Sequence, residues 1–434
     1  MTSTVCIQGQ ITVPGDKSVS HRALMLSGIT NATSRISGLA NNQDVLATRH
    51  CLEALGVAIQ RDSSDLIVSG SPYWQAPKQT LNAANSGTTI RLLSGLLAAQ
   101  HFKTTITGDA SLCKRPMGRI IEPLSQMGAN LESTEGHAPL SIHPTDQMNG
   151  ITYTLPHASA QVKSAILLAG LYAQNKTRVI EPVKSRDHTE RMLRFAGVDL
   201  QQNGNEILLA GGQVEKLQAT HWQVPGDVSS AAFWIVAALL IPGSKLRIQN
   251  ILLNPARTGI ISVLQSVGGT IGIENQREAC GESVGDLLVQ ASQLKGDINL
   301  RAEDIPALVD ELPILAVASV FLNGTLTVHG AEELRVKESD RISALASEFG
   351  KLGITVNTFA DGFSIAGQAD RTLTTPTTLL NAHHDHRIAM SLRILNTIAN
   401  TLTRSASRWD IMDEACIAVS YPDFEATLTQ LLSE

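Results

Sequence analysis

Apolar and polar positions along this chain fall into a pattern that keeps returning: an apolar helical stretch, a small turn, a short β-branched strand, then a polar loop. Residues 24–29 lead into 33–36 in this way, 92–97 into 104–106, 166–171 into 176–179, 235–240 into 245–248 and 315–320 into 325–328. A weaker sixth copy has 394–398 leading into a strand expected at 401–403. From Ile36 through Ile106, Val179, Ile248 and Val328 the step is about 70 to 80 residues, longer than a solenoid repeat and enough for a small α/β layer. A second mark keeps the same beat: Leu55-Gly56-Val57, Met127-Gly128-Ala129, Ala196-Gly197-Val198, Val267-Gly268-Gly269 and Leu352-Gly353-Ile354. Each places glycine just past a helix, where a left-handed residue closes the last turn. Each unit therefore holds two helices and several short strands. Val13-Pro14-Gly15-Asp16 returns as Val224-Pro225-Gly226-Asp227, about three units later. The chain reads as a duplicated set of three units, hence two similar α/β domains with a cleft between them.

Composition narrows the class. At 434 residues, 43% hydrophobic and 17% charged, the chain is long enough for two domains that each bury a core. The net charge of −6 argues against nucleic acid as a partner, so an anionic ligand needs a local basic cluster. Cys6, Cys51, Cys113, Cys280 and Cys416 are widely spaced without a C-x-x-C, the usage of reduced thiols in a cytoplasm. No signal peptide is expected, and the longest apolar run, 231–242, is too short to cross a bilayer.

The chemistry gathers at helix starts. Residues 13–22 place Lys17, Ser18, Ser20 and Arg22 around a Pro14-Gly15 turn, directly before an apolar run. Free backbone N–H groups, hydroxyls and cations at a helix start suit a phosphate or carboxylate; a capped helix with solvated charges is the plainer alternative. The stretch is not a P-loop, because it lacks the glycine-rich loop and the Gly-Lys pair. Asn85-Ser86-Gly87-Thr88-Thr89-Ile90-Arg91 opens a second helix, with Gly87 permitting close backbone approach and Arg91 able to fork onto a carboxylate or phosphate. Arg115 and Arg119 precede or begin another, and Ser159-Ala160-Gln161 starts a third polar-to-apolar helix. Residues 185–191 read as a solvated charged face. The second half brings carboxylates: Asp310 and Glu311 before an apolar helix, and Glu338 three residues from Arg341, expected on one helix face. His383-His384-Asp385-His386-Arg387 is rich in metal-ligand types, but adjacent turn residues rarely converge on one ion. No metal site is expected. Cations and hydroxyls in the first half and carboxylates in the second would give a cleft anionic ligands and proton-transfer groups.

Six of these motifs, PGDKSVSHR at 14–22, NSGTTIR at 85–91, RPMGR at 115–119, SAQVKSA at 159–165, RVKESDR at 335–341 and DHR at 385–387, together resemble the 5-enolpyruvylshikimate-3-phosphate synthase family nearly end to end. The resemblance implies two domains, each of three βαβαββ units around a pseudo-threefold (an inside-out α/β barrel), with the active site in the interdomain cleft. Residues 1–16 and 226–434 would form one discontinuous domain carrying the acid/base carboxylates. Residues 17–225 would form an inserted domain carrying most contacts to shikimate 3-phosphate.

The implied reaction moves the enolpyruvyl group of phosphoenolpyruvate to the 5-hydroxyl of shikimate 3-phosphate. Lys17 would touch both substrates and join Asp310 and Glu338 as catalytic residues. Ser18, Arg22, Ser159, Ala160, Gln161, Asp310 and Lys337 would bind shikimate 3-phosphate. Gly87, Arg91, Arg115, Gln161, Arg341 and Arg387 would surround phosphoenolpyruvate with Lys17. No metal or organic cofactor is implied, and a cytoplasmic monomer without nucleic-acid or membrane partners is expected. Ala160 stands where many relatives have a second serine, and Val419 where one branch carries lysine. Gly87 stands where members insensitive to glyphosate often have alanine. The sister enzyme acting on UDP-N-acetylglucosamine, which uses a loop cysteine, is the nearest alternative; Cys113 sits beside Arg115 but in the synthase-like motif. A non-catalytic ligand-binding relative is the alternative from another class.

Overall fold

A computed structural model describes residues 6–369, 373, 376–404 and 407–433. The first five residues of the 1–16 segment, and Ser405 and Ala406 of the final repeat, lie outside the described residues. Twelve helices are described: α1 (Lys17–Ile29), α2 (Gln43–Ala54), α3 (Gly87–Leu97), α4 (Gly118–Gln126), α5 (Ala160–Gly170), α6 (His188–Phe195), α7 (Val228–Leu240), α8 (Gly259–Ser266), α9 (Leu312–Val320), α10 (Arg341–Lys351), α11 (His386–Thr403) and α12 (Phe424–Ser433). The chain divides into two units. Unit 1 comprises residues 1–14, 226–277 and 283–434, and unit 2 comprises 15–225 with 278–282.

Unit 2 contains three four-stranded sheets with one strand order. In the first, His221–Gln223 pairs parallel with Thr33–Ser37, which runs antiparallel to Asp65–Ser69, itself paired with Ala58–Asp62. Leu81–Asn82, Thr104–Thr107, His137–His143 and Asn130–Thr134 repeat that order, as do Thr152–Thr154, Thr177–Ile180, Glu206–Leu209 and Leu200–Asn203. In the second and third sheets the parallel pair needs a long crossover, which α3 and α5 supply, while in each sheet the outer antiparallel pair closes as a hairpin. Along Thr33–Ser37 only Ser34 and Ile36 are buried, so period-two alternation turns one face to the core.

Unit 1 repeats the plan with Gln8–Thr12, Lys245–Leu252, Glu282–Gln290 and Thr270–Ala279, then with Ile298–Leu300, Thr325–Val328, Gly362–Ala366 and Asn357–Phe359. Among the described residues the sixth sheet is Leu380–Asn381 parallel to Ile411–Met412. The strand expected at 401–403 is absent, because α11 continues helically through Thr403. The short strand comes later, at Ile411–Met412, and α12 follows where the other units have a hairpin.

The two helix classes differ in burial. From Val19 α1 is buried throughout, α5 is buried from Val162, α7 from Val228 to Leu239 and α9 along its whole length. The apolar α7 and α9 belong in an interior, and α1 and α5 bury polar side chains as well, among them Arg22 and Lys163. The α2 and α4 helices bury only one face. Buried helices inside with sheets and half-exposed helices outside are the inside-out arrangement. In unit 2 the backbones of α3 and α5 come close enough that a Cβ on Gly95 would lie 2.3 Å from the Ala165 carbonyl oxygen. In unit 1 Trp234 of α7 stacks on Phe424 of α12 at a centroid distance of 4.9 Å and donates to the Tyr421 hydroxyl at 3.2 Å. The five glycines expected beyond helix ends all have positive φ, from +74° at Gly353 to +96° at Gly128.

The repeated Val-Pro-Gly-Asp stretches are where the chain passes between units. Within unit 2 the Asp16 amide donates to the Pro225 carbonyl at 2.7 Å; within unit 1 the Asp227 amide donates to the Pro14 carbonyl at 2.9 Å. The strand preceding α1 in its repeat is thus His221–Gln223, and the strand preceding α7 is Gln8–Thr12. Each copy supplies the lead-in for the other copy's helix.

Candidate active site

The motifs open the buried helices, and short polar side chains cap them. Asp16 accepts from the Val19 amide at 2.8 Å, Ser86 from Thr89 at 3.1 Å and Ser159 from Val162 at 3.4 Å. In unit 1, Asp340 accepts from Ser343 at 3.1 Å and Asp385 from Arg387 at 2.9 Å. A cap satisfies one of the otherwise orphaned first-turn N–H groups and fixes where the helix begins. The residues beside each cap therefore have fixed positions.

In unit 2 the starts of α3 and α5 form one cluster. Arg91 donates to Gln161 Oε1 at 2.6 Å, and Gln161 donates to Thr88 Oγ1 at 3.1 Å. A Cβ on Gly87 would stand 2.9 Å from Arg91 Nη1 and 3.5 Å from Arg115 Nη1, so Gly87, Arg91, Arg115 and Gln161 are neighbours. Arg115 is oriented by Asn85 Oδ1 at 2.7 Å, and Asn85 in turn donates to Asp109 at 2.7 Å. Lys17 pairs with Asp44 at 3.0 Å, half-buried. Ser18 lends its carbonyl to Arg22 at 2.9 Å, while the rest of that guanidinium donates to Thr189 Oγ1 at 2.7 Å and Ser164 Oγ at 2.8 Å. Burial draws the Arg22 guanidinium down to about 10 against the pull of Glu190, Asp16 and Glu282, which leaves it charged at neutral pH. Ser159 and Ala160 sit at the cap and first residue of α5.

The stretch expected to be a solvated face is instead largely interior: Ser185, His188, Thr189 and Glu190 are buried. The reason is a buried cation on the neighbouring helix. Lys163 of α5 pairs with Glu190 at 2.6 Å and Glu181 at 2.8 Å, and Glu181 also accepts from the Ser185 amide at 3.1 Å. His188 Nδ1 meets Glu282 at 2.7 Å. Cys113 is half-buried, with its thiol 3.5 Å from the Gly108 carbonyl.

In unit 1 three carboxylates meet one buried guanidinium. Arg341, 1% exposed, contacts Glu338 Oε2 at 2.6 Å, Asp385 Oδ2 at 2.8 Å and Asp310 Oδ1 at 3.6 Å. Arg387 donates to the Asp310 carbonyl at 3.0 Å and has Nε 3.9 Å from the Asp310 carboxylate. Burial works against charge on Arg341, but Asp385, Glu338 and Asp310 outweigh it and its proton is held more tightly than usual. Burial likewise opposes ionisation of Asp385, yet Arg341 keeps its carboxyl below the ordinary range. Among the described residues Nη1 of Arg341 makes no hydrogen bond although it is buried; such a donor calls for an acceptor. Glu338 and Arg341 do not share a helix face as expected, since α10 begins at Arg341 behind the cap Asp340. They pair through the bend that precedes it. Lys337, next in sequence, pairs with Glu333 at 2.7 Å. His383 and His384 turn to separate carboxylates, Glu348 at 3.0 Å and Asp413 at 3.4 Å.

The family model described as EPSP synthase (3-phosphoshikimate 1-carboxyvinyltransferase) matches residues 1–428. The chain belongs to the EPSP synthase family. Its relatives include the 3-phosphoshikimate 1-carboxyvinyltransferase of Carboxydothermus hydrogenoformans, 48% identical over 98% of this chain and 97% of that one. The enzyme of the same name from Synechococcus elongatus is 48% identical over 98% and 94%. An EPSP synthase structure from Acinetobacter baumannii superimposes with a TM-score of 0.87 at 41% identity, covering 99% of this chain and 96% of that one. Family membership and the sixfold inside-out architecture thus agree. Sequence reasoning missed Asp44, Ser164, Thr189 and Asp385 as partners that orient the cations of this EPSP synthase family member. Asp385 and Ser164 lie inside two of the six motifs and Thr189 inside the polar stretch 185–191; Asp44 alone carries no local signal.

Proposed function

We propose that the chain transfers the enolpyruvyl group of phosphoenolpyruvate to the 5-hydroxyl of shikimate 3-phosphate and releases phosphate. The observation that carries this reading is the pair of carboxylates, Asp310 and Glu338, gathered on the buried Arg341 with Arg387 beside Asp310. In this reading Asp310 takes the proton of the 5-hydroxyl as its oxygen bonds to C2 of the enol. Glu338 delivers a proton to the methylene carbon, and the tetrahedral intermediate results. Loss of a proton from the new methyl group back to Glu338, with departure of phosphate from C2, restores the double bond as an enol ether. The intermediate carries carboxylate and phosphate charge, which preorganised cations stabilise without reorganisation. Arg91, Arg115, Arg341 and Arg387, with Lys17, Gly87 and Gln161, are assigned to phosphoenolpyruvate. Lys17, Ser18, Arg22, Ser159, Ala160, Gln161, Asp310 and Lys337 are assigned to shikimate 3-phosphate. Nη1 of Arg341, buried and with the Asp310 carboxylate no nearer than 3.6 Å, has room to donate to an anionic ligand there.

Glu338→Gln tests the assignment, because it keeps an acceptor for Arg341 and removes the exchangeable carboxyl proton. Turnover is expected to fall by about 10²–10⁴-fold, the usual worth of a positioned acid or base, while calorimetric affinity for shikimate 3-phosphate is kept. Near-normal turnover would remove Glu338 from this role.

A further inference from the structure

Glu348 belongs to none of the motifs that point to the reaction, yet it is a carboxylate only 1% exposed. Its oxygens accept from four groups. Lys351 Nζ donates to Oε2 at 2.7 Å, the Asn381 amide to Oε2 at 2.8 Å, Ser347 Oγ to Oε1 at 2.9 Å, and His383 Nε2 lies 3.0 Å from Oε1. Two of these partners, Asn381 and His383, belong to the turn that leads into α11. That turn is an unfavourable one: His383 and His384 both have left-handed backbones, with φ of +53° and +55°, a region that side chains with a Cβ rarely occupy unless their surroundings hold them there.

The turn delivers Asp385 and Arg387. Asp385 grips Arg341, and Arg387 meets Asp310. Arg341 and Glu348 are residues of the same helix, α10, and stand seven positions apart. Seven residues are two turns, so the two side chains lie on one face with about 10 Å between their rungs. The α10 helix thus holds the turn at two points: Arg341 at Asp385, and Glu348 at Asn381 and His383. Met412 and Asp413 hold the other side, through the Ala382 amide at 2.9 Å and His384 at 3.4 Å.

We infer that Glu348 is a positioning residue for the phosphoenolpyruvate end of the site: with Arg341 it clamps the left-handed 381–384 turn, and so sets where Asp385 and Arg387 stand relative to Asp310. The inference rests on the proposed reaction and deepens it. Glu348 acts through the turn rather than on substrate, so losing it alters the binding of one substrate more than the other. A carboxylate that only supported the fold would lower stability without that selectivity.

The test compares wild type, Glu348→Gln and His383→Ala in steady-state phosphate release, with thermal melting alongside. Glu348→Gln places an amide where two donors now meet carboxylate oxygens. The KM for phosphoenolpyruvate is expected to rise about five- to tenfold, with the KM for shikimate 3-phosphate within about twofold. His383→Ala leaves the buried carboxylate and α10 untouched and is expected to shift the same KM in the same direction by less. An unchanged phosphoenolpyruvate KM in both variants, or equal rises for both substrates, overturns the inference while leaving the proposed reaction standing. If Glu348→Gln does not fold, His383→Ala decides alone by the same criterion. Wild type that releases no phosphate from the two substrates overturns the reaction and this inference together.

Discussion

At the scale of single residues, charge and hydrogen-bonding type were readable but partners were not. Lys17, Arg22, Arg91 and Arg341 stand out in the sequence because each sits at the start of an apolar helix. What orients them does not stand out: Arg22 is held by Ser164 and Thr189, 142 and 167 positions away. Ser164 lies in the 159–165 motif and Thr189 in the polar 185–191 stretch, but nothing local names Arg22 as the partner of either. The same blindness covered His21. It is fully buried on α1, with Nδ1 2.7 Å from Thr48 Oγ1, and burial lowers its pKa from 6.5 to about 3. A folded pKa below the unfolded one means that the unfolded chain binds the proton first. The contribution of the neutral ring is therefore whole above pH 6.5 and is lost progressively as the pH falls towards 3. About 2 kcal/mol is expected to go between pH 6.5 and 5. Denaturant midpoints of wild type and His21→Gln at both pH values check this: the difference between the proteins should shrink or reverse at pH 5. Parallel pH profiles would mean that His21 does not supply the slope.

Elements were the most legible scale. Five helix–turn–strand copies and five glycine stops were read directly, because burial on all sides forces continuous apolar helices and a left-handed stop leaves glycine behind. The sixth copy misled because α11 is helical through Thr403, and the threonine pair at 401 and 403 resembles strand while being served by helical back-bonds to Thr397 and Ala399. The polar stretch after residue 184 misled for the opposite reason, since its charges are answered by a lysine on another element. The ion cluster that joins α5 to α6 gives the prediction at this scale. Lys163, Glu181 and Glu190 are all within 2% of full burial, and burial pushes the Glu190 carboxyl up even against the pull of Lys163. Lys163→Met strands two buried carboxylates and is expected to cost about 3–5 kcal/mol, read from chemical denaturation. A loss below about 1 kcal/mol would show that the carboxylates find protons or water cheaply.

At the scale of the whole molecule, the duplication explains both the architecture and the division of chemistry. Two sets of three units exchange lead-in strands at Pro14–Gly15 and Pro225–Gly226, and each set keeps its own buried helices. Unit 2 carries the cations and hydroxyls at the starts of α1, α3 and α5, and unit 1 carries the carboxylates around Arg341. The family assignment covers nearly the entire chain, so the central claim concerns the reaction itself. The most direct test is phosphate release by the purified protein on mixing with shikimate 3-phosphate and phosphoenolpyruvate, with the product identified by mass. The account predicts release that requires both substrates and a product joining the enolpyruvyl group to shikimate 3-phosphate. Release with UDP-N-acetylglucosamine in place of shikimate 3-phosphate, or none with either acceptor despite measurable binding, would contradict it.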